Sequence, residues 1–207
     1  MIDRKKFYDH VREKPFGGTL LQTQVDGINA IFDEWEKRKP DGDLRWLAYM
    51  LATVKIETAH TMKPIHEYGG DHYFFQMYDK AGDRPSVAEA LGNTNAGDGV
   101  RYHGRGYVQL TGRANYQKLG MLLGLDLVNN PDWALKPDVA AAIMFKGMEL
   151  GLFTGVGLPN YFGPTMEDWR HARRIINSMD RADEIAAIGR EFYAAIMAGG
   201  GSNRAVA

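Results

Sequence analysis

LRWLAYMLATVKIETAH, residues 44–60, is apolar around most of a helical circumference, which predicts a central, buried helix rather than a surface one. At about 100° per residue, the eleven steps from Trp46 to Glu57 bring Glu57 back to within about 20° of the Trp46 face, near Tyr49, Met50 and Val54. Burial on such a stripe penalises a charged carboxylate and favours its protonated form, the property a general acid needs. The competing reading puts Glu57 at an exposed helix end, or in a pair with Lys55 or His60. Pattern alone leaves both open.

Upstream, Leu21, Val25, Ile28, Phe32 and Trp35 recur at helical spacing, with Thr19 and Gln22 in capping-box positions and Pro40 past the end. Downstream, glycines and prolines between 62 and 104 predict loops, turns, a small hairpin and a short helix over 86–91. An extended segment is expected over 101–110 and a helix over 113–123, stopped by Gly124. Further helices are expected over 137–150, from a Thr165/Asp168 cap through Ile176, and over 182–197. The fold class is therefore mainly α (α+β). A single domain, 1–207, is expected, with a small glycine-rich lobe inserted at about 62–110 and a flexible tail at 199–207.

Composition narrows the functions. The 207 residues contain no cysteine, which removes disulfides, thiolate metal sites and thiol nucleophiles. A formal net charge of -1 gives nucleic-acid binding no bulk electrostatic support. No apolar run approaches the roughly 18 residues of a spanning helix, and residues 1–14 have no signal-peptide core. No nucleic-acid partner and no stable membrane insertion are expected. A monomer is the default, because no coiled-coil or dimer stripe is visible. His60, His66, His72 and His103 do not form a His-Glu-x-x-His pattern, so no metal and no cofactor are assigned.

Glu67, in Pro64-Ile65-His66-Glu67-Tyr68-Gly69-Gly70, follows Glu57 by ten residues on a loop. A second carboxylate that stays ionised can activate water. Taken alone, a loop glutamate is usually solvated surface. The nearby aromatics Tyr68, Tyr73, Phe74, Phe75 and Tyr78 are expected mostly to pack a small lobe.

The run RYHGRGYVQLTGRANY, residues 101–116, resembles the signature of family 19 glycoside hydrolases, the chitinase-like group that includes many phage endolysins. The Thr53-Val54-Lys55-Ile56-Glu57-Thr58 segment looks like that family's acid-bearing helix. Leu91-Gly92-Asn93-Thr94, Gly97-Asp98-Gly99 and Ile175-Ile176-Asn177 resemble further family motifs. The resemblance covers roughly residues 19–197. It implies a lysozyme-like fold, with a helical lobe and a small irregular lobe flanking a cleft for β-1,4-linked amino sugars.

Carried over, the resemblance makes Glu57 the general acid, Glu67 the general base and Thr111 the residue that helps hold the attacking water. It makes Gln109, Asn115, Asn177 and, by a loose alignment, Arg190 substrate-binding. Plainer readings stand beside these: Thr111 and Asn177 as helix caps, Gln109 satisfying backbone groups, Gly104 and Gly106 allowing tight packing. The missing cysteines, the Ser178-Met179 pair after Asn177 and the close spacing of the glutamates depart from plant chitinases. These departures favour a phage-type muramidase acting on peptidoglycan glycan strands by inverting hydrolysis. Such an enzyme would be held in the host cytoplasm until a holin releases it to the cell wall. The rivals are a chitinase, a lytic transglycosylase and a non-catalytic wall-binding module.

Overall fold

The computed structural model describes residues 2–202. In chain order the elements are α1 (Arg4–Glu13), α2 (Gln22–Arg38), α3 (Leu44–Glu57), β1 (Ile65–His66), α4 (Asp71–Tyr78), α5 (Pro85–Ala90), α6 (Asp98–Arg101) and β2 (Arg105–Gly106). They continue with α7 (Arg113–Leu123), α8 (Pro137–Leu150), β3 (Phe162–Gly163), β4 (Met166–Glu167) and α9 (Ala182–Ala198), with three 3-10 turns at Pro131–Leu135, Leu158–Asn160 and His171–Ile175. The mainly helical expectation holds. The chain divides into two compact units: Met1–Met62 with Met144–Ala207, and Lys63–Ile143.

In the first unit α3 packs chiefly against α9. Every α3 residue from Leu47 to Ile56 is buried, as the apolar circumference demands. Phe7 of α1 meets Phe32 edge-on at 4.7 Å between ring centroids, and stacks towards Phe192 of α9. Trp169 fills the space beside Tyr49 and Phe162, and Gly189 lets α9 approach it, since a Cβ there would lie 2.9 Å from the indole. Burying each such side chain contributes on the order of 2 kcal/mol.

Glu57 is the last residue of α3, and the chain then turns sharply. Ala59, His60 and Met62 all have positive φ, which costs about 1–3 kcal/mol per residue. The turn is held by the Thr58 hydroxyl, which donates to Val54 O at 2.7 Å and accepts from Met62 N at 3.0 Å. Gln24 Nε2 also donates to His60 O at 2.9 Å. Gly27 is required here, because a Cβ would stand 1.9 Å from Met62 O.

In the second unit β1 pairs antiparallel with β2, setting Ile65 opposite Gly106 and His66 opposite Arg105. This unit is longer than the lobe expected over 62–110. Arg105 donates to Asp132 at 2.8 Å, Tyr102 Oη donates to Val128 O at 3.1 Å, and Gly106 sits against Ala134 O. Those contacts tie the stretch from Val128 to Ala134 to the signature segment.

Several local expectations are corrected. α1 was not anticipated. α2 starts after Leu21, whose N–H is capped by Gln24 Oε1 at 2.8 Å, so Thr19 is not its cap. The aromatic run 71–78 forms α4 rather than a loop. The extended segment over 101–110 shrinks to the two residues of β2, as the chain doubles back and Arg105 bridges to Leu110. The helix expected through Ile176 is instead the β3–β4 hairpin and a 3-10 turn, with Asp168 capping His171 N at 3.0 Å. Gly199 O accepts from Asp3 N at 2.8 Å and Gly201 N donates to Ile196 O at 3.0 Å, so the tail up to Gly201 is tied down. The rest of the expected tail, 203–207, lies outside the described residues. Among the described residues no helix is long and apolar enough to cross a membrane.

Candidate active site

Each unit presents one of the two glutamates in a built setting. In the first, Arg173 Nη1 donates to Glu57 Oε1 at 2.5 Å, with Arg173 only 3% exposed and Glu57 17% exposed. Arg173 sits in the 3-10 turn His171–Ile175 and is anchored by donating from Nε to Asp180 O at 2.9 Å. Glu57 thus stands at a helix end, as one of the open readings had it, but its partner is neither Lys55 nor His60. Those two pair with each other, Nζ to Nδ1, at 2.6 Å. Burial pushes the nearby Tyr49 phenol up, keeping it protonated.

Asn177 is exposed, and its side-chain oxygen accepts from Ser178 N at 2.8 Å. It lies two residues past the 3-10 turn His171–Ile175 and so does not cap an α-helix, and its own N–H donates to Arg173 O at 3.1 Å. The Arg190 guanidinium lies 5.8 Å from the Trp169 ring centroid, on an exposed face of α9. The arginine that touches a candidate carboxylate is Arg173, which sequence reasoning did not single out. Its only signal was its place two residues before the Ile175-Ile176-Asn177 motif.

In the second unit the β1–β2 pairing carries Glu67 alongside Gly104. Glu67 N donates to Gly104 O at 2.8 Å, and Gly104 N donates back to Glu67 Oε2 at 3.1 Å. Tyr78 Oη donates to the other oxygen, Oε1, at 2.7 Å. Burial first, and then this bond, push the Tyr78 phenol well above its ordinary value, so it remains a donor at working pH. Glu67 is therefore no free surface glutamate: each carboxylate oxygen accepts one hydrogen bond and keeps a lone pair for water.

Gln109, Thr111 and Asn115 join the same cluster. A Cβ on Gly104 would lie 2.9 Å from Gln109 Oε1 and 3.0 Å from Glu67 Oε2, so a side chain here would push one of these two groups from its place. Gln109 has φ 54°, and its amide donates to Ile65 O at 3.2 Å, locking the turn. The Thr111 hydroxyl donates to Gln109 O at 2.9 Å, which leaves its oxygen free to accept from a water. Asn115 Nδ2 donates to Thr111 O at 2.8 Å. Gly112, not Thr111, is the N-cap of α7.

Beneath the cluster, Arg105 is buried and donates from Nη1 to Arg101 O, His103 O and Tyr116 Oη, all within 3.2 Å. The His103 ring stacks on Phe74 at 4.2 Å and its Nε2 faces His66 Nδ1 at 3.0 Å. Among the described residues no group of three or more His, Asp or Glu side chains could hold a metal ion.

The model of the family described as chitinase class I matches residues 41–149, more than half of the chain. The matched residues include Glu57, Glu67, Gln109, Thr111 and Asn115, while Asn177 and Arg190 lie outside them. Chitinase 8 of Oryza sativa subsp. japonica is 68% identical over 31 residues, 15% of this chain and 12% of its own length. Inactive chitinase-like protein 1 of Hevea brasiliensis is 56% identical over 34 residues, 16% of this chain and 11% of its own. The chain thus matches only a small part of these relatives. One of them is named as inactive. Among solved structures, chitinase C from Streptomyces griseus HUT6037 aligns with a TM-score of 0.60 at 17% identity, covering 98% of this chain and 78% of that one. That likeness speaks to the fold alone. Through the family match, the chain belongs to the chitinase class I family, family 19 of the glycoside hydrolases.

Proposed function

We propose that the chain is a glycoside hydrolase that cuts β-1,4 bonds of bacterial peptidoglycan strands, with Glu57 as general acid and Glu67 as general base. The observation that carries this reading is the setting of Glu67, whose two carboxylate oxygens are held by Tyr78 Oη and Gly104 N. A pure binding module has no need to orient a carboxylate in this way, while the acid role of Glu57 rests on the family resemblance and requires that substrate displace the Arg173 contact.

In the proposed reaction Glu57 donates a proton to the glycosidic oxygen as the oxocarbenium-like state develops. A water gives one hydrogen bond to Glu67 and another to Thr111, which directs its remaining lone pairs at the anomeric carbon. Glu67 takes the proton as the C–O bond forms, and the product anomer is inverted. Gln109, Asn115, Asn177 and Arg190 are proposed to hydrogen-bond the glycan.

The peptidoglycan preference rests on the absence of cysteine and the ten-residue spacing of the glutamates, features of the phage-type branch that the sequence resembles. A chitinase acting on N-acetylglucosamine polymers is the second reading, favoured by the names of the relatives. We further propose a monomer without nucleic-acid or membrane partners, retained in a host cytoplasm until released to the wall.

Parallel digestion of purified peptidoglycan and of chitin oligosaccharides, with products read by mass spectrometry, separates the readings. New reducing ends on N-acetylmuramic acid support the muramidase, while cleavage of chitin alone supports the chitinase. Cleavage of neither, with binding retained, supports the module.

A further inference from the structure

Glu67 can serve as a base only if its carboxylate is held in one orientation with a lone pair turned to water. Two donors hold it, and they differ in kind. Gly104 N is fixed by the β1–β2 pairing, at 3.1 Å from Oε2. The other is a side chain, Tyr78 Oη, at 2.7 Å from Oε1 and the shorter of the two.

Tyr78 is itself anchored from behind. It is the last residue of α4, and its carbonyl accepts from Asn93 Nδ2 at 2.9 Å. Asn93 is buried, and its Oδ1 accepts from Arg113 N at 2.8 Å, the first residue of α7. The next residue, buried Asp79, accepts through Oδ2 from Gly97 N at 2.8 Å and Gly99 N at 3.2 Å, and through Oδ1 from Ala81 N at 3.2 Å. A continuous set of hydrogen bonds therefore runs from the start of α7, through Asn93 and Tyr78, to the Glu67 carboxylate.

We propose that Tyr78 is a positioning residue for the base, fixing the Glu67 carboxylate through Oε1 so that water meets its remaining lone pairs. This rests on the reading of Glu67 as base. A hydrogen bond to a charged group is strong enough that its loss is expected to lower kcat roughly tenfold to a hundredfold in Tyr78→Phe. KM should stay within about twofold, because the phenol touches the base and not the sugar.

The test is a double-mutant cycle in the full chain with Tyr78→Phe, Glu67→Gln and the double variant, each confirmed folded by circular dichroism. The expected result is a kcat loss in Tyr78→Phe that vanishes when Glu67 is already replaced. A Tyr78→Phe variant with wild-type kcat, or one whose loss adds in full to that of Glu67→Gln, would overturn the proposal and leave Glu67 intact as base. A Glu67→Gln variant with wild-type kcat would overturn the base assignment and this proposal with it. A measurement that needs no Tyr78 variant is ring-carbon NMR of tyrosine-labelled wild type and Glu67→Gln. A partly buried tyrosine signal should shift on losing the carboxylate, and a spectrum in which only exposed Tyr68 responds contradicts the contact.

Discussion

Arg173 Nη1 lies 2.5 Å from Glu57 Oε1, so the carboxylate at the end of α3 is paired with a guanidinium buried 116 residues away in sequence. Removing one partner of a buried pair typically costs about 3–5 kcal/mol, and the partial exposure of Glu57 places the effect near the lower end. Arg173→Ala is expected to destabilise by about 3 kcal/mol in urea denaturation and to lower kcat at least a hundredfold. Arg173→Lys should recover much of the stability but little activity, because the planar fork that also reaches Asp180 O is lost.

Gly104 tests the geometry around the other carboxylate. Its missing Cβ leaves room for Glu67 Oε2 and Gln109 Oε1, each about 3 Å from where the atom would be. Gly104→Ala should reduce kcat on the order of tenfold or more while the melting temperature falls by only a few degrees. Steady-state rates beside a thermal melt check this, and a variant of wild-type kcat would show that the close approach is not needed.

His103 supplies the pH dependence. Burial first, with Arg105 and His66 acting in the same sense against Val100 O and Glu67, holds its imidazole below the usual range. Its Nδ1 donates to Val100 O at 2.7 Å, so its Nε2 accepts from His66. The folded state binds this proton less readily than the unfolded chain. Stability from His103 is therefore fully present above the unfolded value of about 6.5 and is lost as pH falls below it. Melting temperature should be level above about pH 7 and decline on acidification, and His103→Gln should decline less steeply.

Lys55 is buried, with its ammonium 2.6 Å from His60 Nδ1 and over the Phe16 ring. Burial, aided by Arg181 and opposed by Glu184 and Glu191, holds it below the usual lysine range. Because the folded chain resists the charge, its penalty is present at neutral pH and is relieved as pH rises towards about 10. Lys55→Met should therefore be more stable than wild type by about 1 kcal/mol at pH 7. The gap should narrow at pH 9.5, and denaturation at the two pH values reads it.

The long helices were legible because their apolar residues repeat at helical spacing: α3 from Trp46 to Val54, α2 from Val25 to Trp35, and α7 because Gly124 ends it in the left-handed conformation. α1 was hidden because only Phe7 and Val11 are buried on a strongly charged segment. α4 was hidden because its aromatic run buries Phe74 alone, leaving no periodicity. Glu67 and Gly104 could be named from the sequence, but not their reciprocal bonds, which depend on the register of a two-residue pairing. Arg173 stands among Arg170, Arg174 and Arg181, and no local pattern says which of these is buried. The supporting groups of both carboxylates come from distant chain, where sequence periodicity carries no information.

The most direct measurement is digestion of purified peptidoglycan by wild type, Glu57→Gln and Glu67→Gln, with the fragments read by mass spectrometry. The account expects new reducing sugar ends with wild type and a loss of at least a hundredfold in their rate of formation with either variant, glycan binding being retained. Cleavage of peptide links with intact glycan strands, or wild-type cleavage by either variant, would contradict it.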